Sequence, residues 1–173
     1  MKKQELRSLI REEIKKVLKE IGEGTAKPYE YKHVADTPYG IFYSFTTDPD
    51  PNKTFLGKPA PGTEYEVDLR FWDIQTSKPS STNIDVAFST HGGEYEEETN
   101  DNVQYRVMAT VLAIVKETLK KHTQITTLTF TPAKASKVDD RRARFYKAYI
   151  EKQLPGSTTT MLKKGGFKIQ LVK

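Results

Sequence analysis

The residues best equipped for chemistry lie in "KASKVDDRRARFYKAY", Lys134 to Tyr149. Arg141, Arg142, Arg144 and Lys147 put guanidinium and ammonium groups on adjoining faces of one helix, with Tyr146 and Tyr149 among them. Guanidinium forks beside aromatic rings suit phosphates and bases, which makes this face a candidate anion or nucleic-acid surface. A structural arrangement competes with it. Asp139 and Asp140 are spaced to pair with Arg residues three and four positions on, while Phe145 and Tyr149 turn toward a core. The structural arrangement is favoured, so nucleic acid is not the expected partner.

The remaining candidates are dispersed. His33, His91 and His122 fall in three different elements without a His-x-x-x-His spacing, so no metal site is expected. His91 beside Glu94 and Glu96 comes closest to an acid–base cluster, but on a polar loop it reads as a solvated side chain. Ser89-Thr90-His91 forms no nucleophile elbow. The complete lack of Cys removes thiolate nucleophiles, Cys-bound zinc and disulfides together. No cofactor is expected.

The elements that would carry these side chains follow from periodicity. "YGIFYSFTT" is rich in aromatic and β-branched residues and reads as a strand. "DPDPNKTFLGKPAPG", Asp48 to Gly62, reads as a Pro- and Gly-rich loop. "EYEVDLRFW" alternates, with Tyr65, Val67, Leu69 and Phe71 on one face, and "NIDVAFST" repeats the pattern through Ile84, Val86 and Phe88. Val107, Val111, Ile114, Val115 and Leu119 have helical spacing, and Lys120, Lys121 and His122 suit that helix's C-terminal end. "ITTLTF" is a short strand, "DDRRARFYKAYIEKQL" a second helix stopped by Pro155-Gly156, and "GFKIQLV" a last strand. Strands followed by strand–helix alternation predict an α+β domain, with helices packed on a mostly antiparallel sheet.

Chain organisation follows from composition and charge. With 173 residues there is room for one domain and an appendage. No apolar run approaches the roughly 20 residues of a bilayer crossing, so no membrane partner is expected. The net charge of +5 is uneven: residues 1–23 carry +2 and residues 134–173 carry +8, leaving −5 between them. Leu6, Ile10, Ile14, Leu18 and Ile21 recur at helical spacing among Lys, Arg and Glu, which predicts an amphipathic helix over 1–23. Its narrow apolar stripe is the candidate partner-binding surface. Residues 24–37 are polar and irregular and read as a linker, placing the domain at 38–173.

Two resemblances add to this reading. "NIDVAFST", "QYRVMATVLAIVKETLKKH", "ITTLTF", "RRARFYKAYIEKQL" and "GFKIQLV" follow one another as strand, helix, strand, helix, strand. That order resembles the core of the GCN5-related N-acetyltransferases. The resemblance implies that Tyr146 would match the helix tyrosine that often protonates the leaving coenzyme A thiolate. The chain departs from the family at the cofactor loop. In place of a glycine-rich turn with Gln or Arg, Gly92-Gly93 is followed by Glu94, Glu96, Glu97, Glu98 and Asp101. Five carboxylates with no Lys or Arg among them repel a pyrophosphate.

The opening segment, "MKKQELRSLIREEIKKVLKE", is similar to the start of many proteins of large tailed phages. Head-packaged phage proteins carry a removable N-terminal segment that is cut after Glu in Leu/Ile-x-Glu. Ile21-Gly22-Glu23 before Gly24 fits that pattern where the helix yields to the linker, making Glu23 and Gly24 the candidate processing site. The resemblance implies a non-catalytic virion or head-packaged protein that acts by protein–protein binding. Its partner would be a phage structural protein or a second copy, met in the virion or in host cytoplasm during assembly.

Overall fold

Strict alternation in "EYEVDLR" makes an interior strand of the main sheet, paired on both edges. In a computed structural model that describes residues 26–90, 101–130, 140–162 and 166–172, this segment is β5 (Glu64–Arg70). It buries Tyr65, Val67 and Leu69 on one face. For clarity the other strands are β1 (Tyr31–Thr37), β2 (Gly40–Thr46), β3 (Asp50–Phe55), β4 (Lys58–Ala60), β6 (Trp72–Asp73), β7 (Lys78–Pro79), β8 (Asn83–Thr90), β9 (Thr127–Phe130), β10 (Thr158–Met161) and β11 (Phe167–Gln170). The helices are α1 (Asp101–Lys121) and α2 (Asp140–Gln153).

Seven strands form one sheet in the order β1-β2-β5-β8-β9-β11-β10. All neighbours are antiparallel except β8 and β9, which run parallel from Asn83↔Thr127 to Val86↔Phe130. A parallel pair cannot be closed by a hairpin and needs a crossover, which α1 supplies. The expected α+β class with a mostly antiparallel sheet is therefore what the chain adopts.

Register places one residue from each of the five inner strands in line across the apolar face. Ile41, Leu69 and Val86 pair in sequence across β2, β5 and β8, and Phe130 and Phe167 continue the row on β9 and β11. Both helices cover this side. Val107, Val111, Ile114 and Val115 of α1 and Tyr149 and Ile150 of α2 are buried. Lys116 Nζ of α1 donates to Gln153 Oε1 of α2 at 2.9 Å, so the two helices lie against each other.

Four parts of the sequence reading change. The segment expected as linker is ordered from Tyr29 onward. Tyr29 is buried, and residues 31–37 form β1, paired with β2 through the two-residue turn Pro38-Tyr39. Polar composition misleads there because β1 is an edge strand and carries a bulge between His33 and Ala35. The Asp48–Gly62 loop contains the β3–β4 hairpin, an arm whose turn residues Leu56 and Gly57 both have positive φ, 51° and 74°. A second small hairpin, β6–β7, follows Phe71. Strand β10, composed of three Thr and one Met, has no alternation to reveal it; it is placed by pairing with β11. The amphipathic segment 1–23, with Leu6, Ile10, Ile14, Leu18 and Ile21, lies outside the described residues, as do Glu23 and Gly24.

Candidate functional site

Among the described strands, the β8–β9 pair is where the sheet's main-chain pairing turns from antiparallel to parallel. The last β8–β9 pair is Val86↔Phe130, whereas β8 runs on to Thr90 in register with Tyr65 of β5. From Ala87 to Thr90, β8 therefore pairs with β5 on one side and with no described strand on the other. In open sheets a crevice outside the carboxyl ends of parallel strands is where ligands settle. The segments that follow β8 and β9 in sequence, 91–100 and 131–139, lie outside the described residues, and with them His91 and the Glu94–Glu98 carboxylates.

α2 sets Tyr146 against this end of the seam. Its ring meets Phe88 of β8 at 5.7 Å between centroids with an interplanar angle of 62°, an edge-on contact. Helical spacing fixes the rest of that face: Tyr149 and Ile150, three and four residues on, are buried. Burial pushes the Tyr149 phenol above its ordinary range. The structure thus brings Tyr146 to the seam while its neighbour in sequence, Lys147, pairs with Glu151 at 3.7 Å one turn along. Arg141, Arg142 and Arg144 belong to the first half of α2, and their side chains lie outside the description.

Beside the seam, an aromatic row crosses the apolar face. Tyr29 stacks on Phe45 at 5.8 Å, Phe45 stacks on Tyr65 at 5.1 Å, and Tyr65 is the cross-strand partner of Thr90. The row ends under a cation: the Arg106 guanidinium lies 3.8 Å from the Tyr29 ring centroid. Arg106 Nε also donates to the Lys27 carbonyl at 3.1 Å, and its Nη1 pairs with Asp48. Arg106 in α1 and Lys147 in α2 are therefore already engaged within the protein. Exposed Glu64 and Glu66 of β5 lie on the opposite face at the same end of the sheet.

His33 and His122 remain apart. His33 Nε2 is 2.7 Å from Asp36 Oδ1 on the exposed edge strand, and the His122 ring lies 5.5 Å from Phe71 at the end of α1. No group of His, Asp and Glu among the described residues could hold a metal ion. No described helix is long and apolar enough to cross a membrane.

Sequence reasoning missed Arg106 and Tyr29, which are separated by 77 positions and belong to segments read as helix face and linker. The available signal was a pair of aromatics, Tyr29 and Tyr31, in a largely polar stretch. In comparison with protein families, characterised proteins and solved structures, the chain matches none.

Proposed function

We propose that the chain is a non-catalytic, protein-binding component of a tailed-phage particle, built on an acetyltransferase-like scaffold. The scaffold reading is supported by the order β8, α1, β9, α2 and a closing antiparallel hairpin, with the parallel pair between β8 and β9. One observation carries the non-catalytic reading. Ahead of Arg106 the sequence carries Glu94, Glu96, Glu97, Glu98 and Asp101 with no Lys or Arg among them, and Arg106, one turn into α1, is held by Asp48, Tyr29 and the Lys27 carbonyl. A site for the pyrophosphate of an acyl carrier needs the opposite charge. Calorimetric titration of the full chain with acetyl-CoA tests this. No heat is expected at millimolar ligand; stoichiometric binding at micromolar ligand refutes it.

Binding to the particle is assigned to the stripe Leu6, Ile10, Ile14, Leu18 and Ile21, laid into a groove on a phage structural protein. Mass spectrometry of chain recovered from particles distinguishes its two forms. A mature chain starting at Gly24 makes the segment a removable address, and an intact Met1 makes it a permanent contact.

A second reading has its own observation, the Tyr146–Phe88 contact at the mouth of the seam. On this reading the domain is an acyltransferase with an aberrant cofactor loop, and the Tyr146 phenol protonates the departing thiolate. It requires measurable acyl transfer that Tyr146→Phe abolishes without a change in melting temperature. A small phage effector that binds host protein or nucleic acid through the Arg141, Arg142, Arg144 and Lys147 face would instead show salt-dependent affinity, weakened when Arg141, Arg142 and Arg144 become Ala.

A further inference from the structure

Arg106 holds together two peripheral segments far apart in sequence. The first is the strap that leads into β1. The Lys27 carbonyl accepts from Arg106 Nε at 3.1 Å, the Tyr29 ring lies under the guanidinium, and the Tyr29 N–H donates to Thr110 Oγ1 at 2.8 Å. Thr110 Oγ1 itself donates back to the Arg106 carbonyl at 2.7 Å, one turn away on α1. The second segment is the β3–β4 arm. Asp48 at its base pairs with the same guanidinium.

The arm's neck is closed by two hydrogen bonds. Thr47 N–H donates to the Thr63 carbonyl at 2.9 Å, and Thr63 N–H donates to Thr47 Oγ1 at 2.8 Å. A Cβ on Gly62 would stand 1.7 Å from the Thr47 carbonyl oxygen, so the two neck strands approach as only glycine permits. A disturbance at Asp48 is therefore passed into the arm rather than absorbed at its root. The guanidinium is planar and presents its donors in a fixed fork, so it satisfies strap and arm in one orientation only.

We propose that Arg106 couples the strap and the arm, so that they loosen as one unit. The coupling is a property of the described fold and does not depend on what the N-terminal segment binds. Thermodynamic linkage makes it reciprocal: loosening the arm must loosen the strap by the same factor.

Hydrogen exchange of the full chain, followed by mass spectrometry, tests both directions. Asp48→Asn removes the arm's charge from the guanidinium at an exposed position and leaves the core alone. Peptides covering Lys27–Tyr31 are expected to exchange about two- to fivefold faster, the scale of an exposed ion pair. Faster exchange confined to 47–63 overturns the proposal. Conversely, Thr110→Val removes the acceptor of the Tyr29 N–H, and the arm amides of 50–60 are expected to speed up with the strap. Acceleration in the strap alone overturns the proposal. Arg106→Lys keeps the charge without the fork and is expected to loosen both segments together; loss of only one contradicts a shared hinge.

Discussion

Tyr31 Oη donates a 2.8 Å hydrogen bond to Glu117 Oε2, joining the edge strand β1 to the last third of α1 across 86 positions of sequence. Lys121 Nζ holds the other carboxylate oxygen at 2.7 Å, so Glu117 is gripped from both sides. The Lys121 contact, followed by the Tyr31 contact, holds the Glu117 carboxyl below its ordinary value. Burial, reinforced by Glu117, pushes the Tyr31 phenol up to about 12.

Both shifts give stability in the middle of the pH range. A carboxyl with a depressed pKa contributes stability above its unfolded pKa, and that stability is lost as pH falls through the folded value. A phenol raised to about 12 contributes stability below its unfolded value of 10.0, lost as pH climbs from there toward about 12. Tyr31→Phe is expected to lower neutral-pH stability by about 1 kcal/mol, because the bond is partly exposed. In urea titrations its deficit against the wild type shrinks below about pH 4 and above about pH 10. A deficit constant from pH 3 to 11 means that the loss is one of packing.

Two glycines separate steric need from conformational need. A Cβ at Gly62 would collide with the Thr47 carbonyl oxygen at 1.7 Å, whereas at Gly57, with φ of 74°, nothing stands within 4 Å. Gly62→Ala is expected to cost about 2–4 kcal/mol because the neck must open. Gly57→Ala is expected to cost about 1–2 kcal/mol of backbone strain alone. Equal costs in thermal unfolding would refute the distinction.

Leu56 sits beside Gly57 with φ of 51° and 88% of its surface exposed. A two-residue turn with both φ positive favours Asn at its first position, and an exposed Leu gains nothing there. Leu56→Asn is expected to raise stability by about 0.5–1 kcal/mol. A fall in melting temperature would show that Leu56 packs against part of the protein.

Thr118 is fully buried in α1, and its Oγ1 has no hydrogen-bond partner among the described residues. Replacing an orphaned hydroxyl by a methyl group of the same shape removes a desolvation penalty without opening a cavity. Thr118→Val is expected to stabilise the fold by about 1 kcal/mol in denaturant titration. A loss of that size would reveal a partner for the hydroxyl.

Whatever depends on local period was legible in the residues. Alternation identified β5 and β8, 3.6-residue spacing identified α1, the acidic start and the Pro155-Gly156 stop marked α2, and together they set the α+β class. Local period also turned Tyr149 to the core, because helical spacing fixes direction without reference to any neighbour. Tertiary structure alone decided which strands meet. The parallel β8–β9 seam, the edge strand β1 built from polar residues, and the Thr-rich β10 all depend on partners brought from far along the chain. The same holds for Tyr146 on Phe88, Arg106 on Tyr29 and Tyr31 on Glu117. Side-chain period reports which face of an element is apolar; it carries no information on which distant element will cover that face, since that is settled by closure of the whole sheet.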